Sequence, residues 1–206
     1  MDVAIPLYPG FTALDVVGPY TALAFAPGWT VTLVAGLPGP VTDDQGTMTL
    51  MATASYEEVP RPDVIVVPGG PGTVPAMTDK ALTDWLLSAH EHTTWTTSVC
   101  SGSFVLAAAG LLAGRRATSH WGWVEHLAGL GVEPVDERVV FDGKIVTAAG
   151  VSSGIDMALE LLAREAGERT AQTVQLAIEY DPHPPYDMRT LGGLREEALK
   201  LIDVSF

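Results

Sequence analysis

The chain has 206 residues, of which 47% are hydrophobic and 17% charged, a balance typical of a globular protein with a substantial core rather than of a disordered one. Its net charge is −14 with only 11 Lys and Arg residues, so neither nucleic acid nor an anionic membrane is an expected partner. The single cysteine excludes an intrachain disulfide and suits a reducing cytoplasm, which is the expected location.

The predicted elements alternate between strands and helices, which favours a largely parallel α/β sheet with both faces covered. Strands are predicted at 2–8, 30–35, 63–68 and 95–99, followed by a hairpin of 138–141 and 144–148 around an Asp142-Gly143 turn. Helices are predicted from an N-cap at Thr12 to about residue 26, at 80–92 behind a cap at Asp79, at 101–112 closed by Gly114, and at 152–166, 168–180 and 194–202.

The remaining sequence contains no sign of a second unit. The Pro-rich stretch 181–187 is predicted to be irregular, and no repeat or composition break divides the chain, so we predict one domain over residues 1–206. The N-terminus MDVAIPLYPG does not resemble a signal peptide, and the longest apolar run, 104–113, is too short to span a membrane.

Cys100 occupies a position that suits a nucleophile. If a strand ends at Val99 and a helix begins near Ser101, Cys100 lies on a sharp turn at the carboxyl edge of the sheet, where ligands bind in open α/β folds. Gly102 permits a close backbone approach there, as glycines do in nucleophile elbows. The positive end of the helix favours a thiolate, and free N–H groups face whatever the sulfur attacks. The alternative is a buried structural cysteine, which is a common role for this residue type.

Two further features each follow a predicted strand. Gly69 and Gly70 come after the strand at 63–68, and their N–H groups predict an oxyanion-type cradle, although Pro-Gly-Gly is also ordinary loop sequence. Asp15 stands alone in an apolar helical segment after the first strand. It is interpreted either as a carboxylate stabilised by the first turn of a helix, or as a desolvated acid that shares a proton with a thiol.

Five segments together resemble the ThiJ/PfpI superfamily of class I glutamine amidotransferase-like proteins. In chain order they are Ala-Leu-Asp-Val-Val-Gly-Pro around Asp15, Val-Val-Pro-Gly-Gly-Pro-Gly around Gly69, Ser-Val-Cys-Ser-Gly-Ser around Cys100, Ala-Thr-Ser-His-Trp ending at Trp121, and Val-Thr-Ala-Ala-Gly-Val-Ser-Ser-Gly-Ile-Asp ending at Asp156. The resemblance implies a flavodoxin-like three-layer sandwich, with a mostly parallel sheet, helices on both faces and a nucleophile elbow at the carboxyl edge. It also implies a homodimer.

Within that superfamily the sequence is most similar to the isonitrile hydratases, which pair an Asp with the elbow Cys and place Thr or Ser directly after it. Asp15, Cys100 and Ser101 match this pattern. The resemblance implies that Cys100 attacks the terminal carbon of an organic isocyanide, that Asp15 acts as acid and base, and that the product is an N-substituted formamide. Neither a metal nor an organic cofactor is expected, and the expected partner is a small-molecule substrate.

The other site residues follow from the same resemblance. Ser101, Gly69 and Gly70 are expected to orient the sulfur and the polar intermediates. His120 is expected in the pocket, with hydrogen bonding to local backbone as the alternative. The apolar residues expected to line the pocket, with core packing as the alternative for each, are Val16, Trp121, Val151 and Ile155.

Two other functions stay open on the same fold. A glyoxalase III or aldehyde-adduct repair enzyme uses the elbow Cys to form a hemithioacetal, but the resemblance implies Glu rather than Asp as its usual partner acid. An oxidative-stress sensor oxidises the cysteine to a sulfinate. Peptidase chemistry is disfavoured because Ser101 replaces the His that follows the nucleophile in peptidase-like members. Related transcription regulators need a C-terminal helix-turn-helix region, which we do not expect in a chain ending at Phe206.

Overall fold

A computed structural model describes residues 1–202 of the chain. Its strands are β1 (Asp2–Pro6), β2 (Thr30–Ala35), β3 (Gly39–Thr42), β4 (Thr49–Ala52), β5 (Ala54–Ser55), β6 (Val64–Val67), β7 (Trp95–Val99), β8 (Arg116–Ala117), β9 (Glu133–Pro134), β10 (Val139–Asp142) and β11 (Ile145–Ala148). Its α-helices are α1 (Ala13–Ala24), α2 (Thr73–Met77), α3 (Lys80–His90), α4 (Gly102–Ala108), α5 (Ser153–Ala166), α6 (Glu168–Ala177) and α7 (Arg195–Leu199). Turns of 3-10 helix occur at Val124–Leu130, Met188–Thr190 and Gly192–Leu194.

The central sheet contains seven strands in the order β10-β11-β7-β6-β1-β2-β5. All neighbouring pairs are parallel except β10 and β11, which form the predicted antiparallel hairpin. Every residue of β6 is buried, because a parallel strand in the middle of such a sheet is covered on both faces. The strands β1, β6 and β7 are therefore neighbours, and their carboxyl ends meet at one edge.

Two groups of helices pack around this sheet. One group comprises α1, α5 and α6, and the other comprises α2, α3 and α4. The aliphatic side chains of the buried strands and the inward faces of the helices form a single core cluster. The predicted flavodoxin-like α/β fold is confirmed.

Local signals located most elements but misplaced several ends. The Asp79 carboxylate caps α3 as predicted, accepting hydrogen bonds from the N–H groups of Ala81 and Leu82. In contrast, α4 ends at residue 108 rather than 112, because the Leu111 N–H bonds back to the Leu106 carbonyl and turns the chain out of the helix. The predicted helices 80–92, 168–180 and 194–202 also end early.

The sequence did not predict the β3–β4 hairpin, the edge strand β5, the short helix α2, or the two-stranded sheet of β8 and β9. The prediction of a single domain over 1–206 includes residues 203–206, which lie outside the described residues, and it stays a prediction. Across residues 1–202 no helix combines the length and apolar character needed to cross a membrane.

Candidate active site

Three segments meet where β1, β6 and β7 end. Asp15 lies in the first turn of α1, which follows β1, while Gly69 and Gly70 follow β6 and Cys100 follows β7. Because these strands are parallel neighbours, residues far apart in sequence converge at the carboxyl edge of the sheet. The predicted convergence of Asp15, Cys100 and the glycine pair is what the structure describes.

Cys100 lies on a strained turn between β7 and α4. Its φ angle is 58°, in the left-handed region that non-glycine residues seldom adopt. Its N–H donates to the carbonyls of Ala148 and Ala149 at 3.1 and 3.0 Å, and its own carbonyl accepts from the Ser119 hydroxyl at 2.9 Å. These bonds hold the backbone in the nucleophile-elbow conformation that the sequence predicted.

Gly102 is required for this turn because the chain passes directly over the end of β6. A Cβ atom at position 102 would lie 2.3 Å from the carbonyl oxygen of Val67 and 2.6 Å from that of Pro68. Any side chain there would push Cys100 away from β6. The glycine therefore fixes how close the cysteine lies to the segment containing Gly69.

Asp15 is completely buried, and this burial raises the pKa of its carboxyl to about 7. The Gly69 N–H donates to Oδ2 at 2.8 Å, and this hydrogen bond lowers the pKa of Asp15. The interaction of the carboxyl with the Cys100 thiol also lowers it, but burial has the larger effect. The other oxygen, Oδ1, is buried and accepts no well-formed hydrogen bond from residues 1–202. Asp15 is thus an acid that holds its proton near neutral pH, the second of the two interpretations given above.

Burial also raises the pKa of the Cys100 thiol well above its ordinary value, and the negative charge of Asp15 adds to this effect. The N–H groups of Ser101 and Val151 approach the sulfur and oppose the increase. We expected the amino end of α4 to favour a thiolate, but the net change is a raised pKa of the Cys100 thiol, because burial and Asp15 outweigh the N–H groups. Asp15 and Cys100 form a coupled pair that retains a proton between them.

Gly69 and Gly70 position side chains with their N–H groups. The Gly69 N–H is bonded to Asp15, while the Gly70 N–H donates to the Ser101 hydroxyl at 3.0 Å. That hydroxyl is also 2.8 Å from the hydroxyl of Thr73. Both amides already have partners within the chain, so the two glycines orient Asp15 and Ser101 instead of forming an open oxyanion cradle.

A cavity of about 380 Å³ opens beside Cys100. Five of the predicted site residues line it, and these are Cys100, Ser101, Gly70, His120 and Val151. Its other lining residues are Thr12, Asp44, Gln45, Pro71, Trp123, Leu201 and Ile202.

The remaining predicted lining residues lie elsewhere. Trp121 borders an adjoining cavity that shares His120 and Val151 with the first. Val16 is buried in the hydrophobic core, so its role is the packing role that we gave as the alternative. Ile155 lies in α5 and packs towards Gly18 of α1.

His120 lies in the cavity wall as a neutral side chain. Burial lowers its pKa, and its Nδ1 accepts a hydrogen bond from the Gly122 N–H at 3.2 Å. A neutral imidazole that accepts at Nδ1 has its proton on Nε2. His120 can therefore donate a hydrogen bond from Nε2, and it brings no positive charge to the cavity.

Asp44, Gln45, Trp123 and the pair Leu201–Ile202 were not predicted as site residues. Asp44 and Gln45 belong to the turn between β3 and β4, and the Thr12 hydroxyl donates to Asp44 Oδ2 at 2.7 Å. Thr12 was predicted as a capping residue, yet its side chain makes no capping hydrogen bond. No local motif distinguishes these positions, because tertiary folding brings them to the cavity from distant parts of the chain. Within residues 1–202 no cluster of three His, Cys, Asp or Glu side chains is placed to hold a metal ion.

The fold and the site together define an α/β protein with a cysteine on a nucleophile elbow beside a buried acid. The chain belongs to the DJ-1/PfpI family, whose model matches residues 1–164. An isonitrile hydratase of Pseudomonas putida is 45% identical over 187 residues, which is 91% of this chain and 82% of that protein. The HTH-type transcriptional regulator CdhR of Pseudomonas aeruginosa is 32% identical over 82% of this chain and 52% of its own length.

Solved structures agree with this assignment. A ThiJ/PfpI family protein from Pseudomonas syringae superposes with a TM-score of 0.92 at 36% identity, covering 98% of this chain and 85% of that one. DJ-1beta of Drosophila melanogaster superposes with a TM-score of 0.80 at 24% identity, covering 88% of this chain and 98% of that one, and shows the fold alone. The predicted superfamily is confirmed.

Proposed function

We propose that this protein hydrates organic isocyanides to N-substituted formamides, with Cys100 as the nucleophile and Asp15 as the acid and base. The observation that carries the proposal is the buried Asp15 carboxyl, whose pKa of about 7 lets it exchange a proton with the neighbouring Cys100 thiol. The similarity to the isonitrile hydratase of Pseudomonas putida supports the choice of substrate.

The first half of the reaction forms a thioimidate. When the pair holds one proton, that proton lies on the Cys100 thiol, because the pKa of the thiol is raised above that of Asp15. The Asp15 carboxylate takes this proton, and the resulting Cys100 thiolate bonds to the terminal carbon of the isocyanide. Asp15 delivers its proton to the same carbon, so the carbon gains one sulfur and one hydrogen while its triple bond to nitrogen becomes a double bond. The N–H groups of Ser101 and Val151 stabilise the thiolate before attack.

The second half adds water and releases the product. The Asp15 carboxylate takes a proton from a water molecule as its oxygen bonds to the thioimidate carbon, and the same proton passes to the nitrogen. Asp15 then accepts the hydroxyl proton as the C–S bond breaks, which gives the formamide, the Cys100 thiolate and protonated Asp15. One water is consumed, and return of the proton from Asp15 to Cys100 restores the starting protonation state.

The proposal is tested by mixing the purified protein with cyclohexyl isocyanide and measuring formamide by mass spectrometry. Turnover should disappear in Cys100→Ala and fall at least about hundredfold in Asp15→Asn, which keeps the shape of the side chain but holds no transferable proton. Gly129→Ala is a suitable control, since a Cβ there has no neighbour within 4 Å.

Two results would replace the proposal with one of the alternatives. Consumption of methylglyoxal without isocyanide turnover would indicate the aldehyde enzyme. Absence of both activities, together with selective oxidation of Cys100 by peroxide, would indicate the sensor.

We further propose a homodimer located in the cytoplasm. The single cysteine and the net charge of −14 are compatible with a reducing, water-filled compartment. Light scattering of the purified protein and fractionation of the source cells test these two statements separately.

A further inference from the structure

The cavity beside Cys100 combines negative charge with an apolar wall. Asp44 and Cys100 lie in its lining, and the Cys100 thiol interacts with the buried Asp15 carboxyl, which does not itself line the cavity. Among residues 1–202 no Lys or Arg lines the cavity. His120, the remaining basic side chain in the lining, is neutral because burial lowers its pKa.

Asp44 is held at the cavity by two hydrogen bonds to the segment that precedes α1. Its Oδ2 accepts from the Thr12 hydroxyl at 2.7 Å, and its N–H donates to the Phe11 carbonyl at 2.9 Å. The preceding Asp43 accepts from the N–H groups of Thr47 and Met48 at 3.1 Å, which closes the turn. Within the described chain Asp44 forms no ion pair that would neutralise its charge.

The apolar wall comes from separate parts of the chain. Trp123 and Val151 contribute to it, and Leu201 and Ile202 contribute from the segment after α7. Ile202 and Leu199 approach Gly122, where a Cβ would lie 3.1 Å and 3.0 Å from their side chains. A ligand next to Cys100 therefore shares the cavity with hydrocarbon side chains and with the Asp44 carboxylate.

We infer that this cavity admits uncharged molecules with an apolar substituent and rejects carboxylates, and that Asp44 is the residue that sets this selectivity. Combined with the proposed function, on which this part rests, the substrates are neutral alkyl or aryl isocyanides rather than isocyano acids. Asp44 does not contact the bonds that change; its charge selects which molecule binds, and it also raises the pKa of Asp15.

The size of the effect follows from the cavity volume. A space of about 380 Å³ places any enclosed charge within roughly 9 Å of Asp44. At an effective dielectric constant of about 20, two like charges at that distance disfavour binding by about twentyfold, and screening by solvent reduces this to about tenfold.

The decisive experiment uses the only cysteine in the chain as a reporter, because it needs no isocyanide activity. The rates at which Cys100 is alkylated by iodoacetamide and by iodoacetate are measured by mass spectrometry, and their ratio is divided by the same ratio for 2-mercaptoethanol. Both reagents require the same thiolate, so any change in the pKa of Cys100 cancels in the ratio.

The normalised ratio should favour iodoacetamide at least about tenfold in the native protein and fall about tenfold in Asp44→Asn. Asn keeps an oxygen for the Thr12 hydroxyl but removes the charge. Asp2→Asn, which removes one charge from an exposed position at the amino end of β1, should leave the ratio unchanged. A normalised ratio near one in the native protein, or equal ratios in the native protein and Asp44→Asn, would overturn the inference.

The isocyanide part is tested with the acid isocyanoacetate and its neutral methyl ester. The native protein should turn over the ester at least about tenfold faster in kcat/KM, and Asp44→Asn should reduce that preference. Equal use of acid and ester would overturn the inferred substrate class. If no isocyanide is turned over, the proposed function fails, while the alkylation ratio still decides whether the cavity rejects carboxylates.

Discussion

Replacing Asp15 by Asn should remove activity and, at alkaline pH, stabilise the protein. The carboxyl is fully buried, and its pKa rises from 3.8 to about 7 on folding, mainly because burial disfavours the charged form. The folded state therefore binds this proton more tightly than the unfolded chain. A rise of this size corresponds to about 4 kcal/mol of stability, which is fully present below pH 3.8 and is lost as the pH rises through about 7.

Asn has no such pH dependence. It can still accept the hydrogen bond from the Gly69 N–H, but its NH₂ group is buried without an evident acceptor, which costs about 1–3 kcal/mol at every pH. Asp15→Asn should therefore be less stable than the native protein near pH 4 and more stable by about 1–3 kcal/mol near pH 8.

The assay is reversible urea unfolding followed by tryptophan fluorescence at several pH values between 4 and 8.5. The other ionisable groups are common to both proteins, so the difference between the two free energies of unfolding reports Asp15 and its coupling to Cys100. Asp2→Asn controls for the loss of one carboxylate from an exposed site. A difference that stays constant across this pH range would refute the claim that Asp15 is a desolvated acid.

Three further predictions follow from the same geometry. Gly69→Ala should lower turnover at least about hundredfold and destabilise the fold by about 1–3 kcal/mol, because a Cβ there would lie 2.5 Å from the Ser101 nitrogen and 2.9 Å from the Cys100 Cβ. Thermal unfolding and the formamide assay measure these two effects. Equal behaviour of Gly69→Ala and Gly129→Ala would contradict the prediction. Ser101→Ala should lower the free energy of unfolding by about 1–3 kcal/mol, because it leaves the buried Gly70 N–H without its acceptor. Ser103→Ala should lower it by less, because the native Ser103 hydroxyl makes only a long 3.4 Å hydrogen bond to the Cys100 carbonyl. Urea unfolding compares the two variants, and the reverse order would count against the hydrogen-bond assignment. The kcat/KM for cyclohexyl isocyanide should rise with pH through about 7, because the pair of Asp15 and Cys100 reaches its one-proton state there. The midpoint of this rise should shift to lower pH in Asp44→Asn, because the charge of Asp44 raises the pKa of Asp15. A flat profile between pH 5.5 and 8.5 would exclude the shared-proton mechanism.

Prediction from the sequence worked best where the signal was local. The strands 30–35 and 95–99 and the start of α3 behind Asp79 were located correctly, because β-branched runs and a capping carboxylate act over a few residues. The end of α4 was misplaced, since Leu111 and Leu112 continue the apolar sequence although the backbone has already left the helix. The β3–β4 hairpin was missed because Pro40 weakens the strand pattern of β3, and its pairing partner becomes evident only in the folded chain.

For the candidate site, too, the residues marked by a local pattern were predicted and those that depend on distant contacts were not. The positions of Cys100 after a strand and of Asp15 early in a helix were evident from pattern and from resemblance to a family. The use of the Gly69 and Gly70 amides was not evident, because it depends on side chains that lie 54 and 31 residues away in the sequence. Val16 illustrates the same limit, since an apolar residue next to a site residue can point into the core as readily as into a cavity.

The sequence by itself determined the order of the main strands and helices that position the site, the single cysteine on its turn, and the acid that can accompany it, since each is recorded in a short stretch of chain. Only the tertiary structure decided the protonation of Asp15 and the composition of the cavity wall. Both depend on how completely distant segments exclude water from one carboxyl and bring Asp44 and Ile202 to the same space, and no local pattern contains that information.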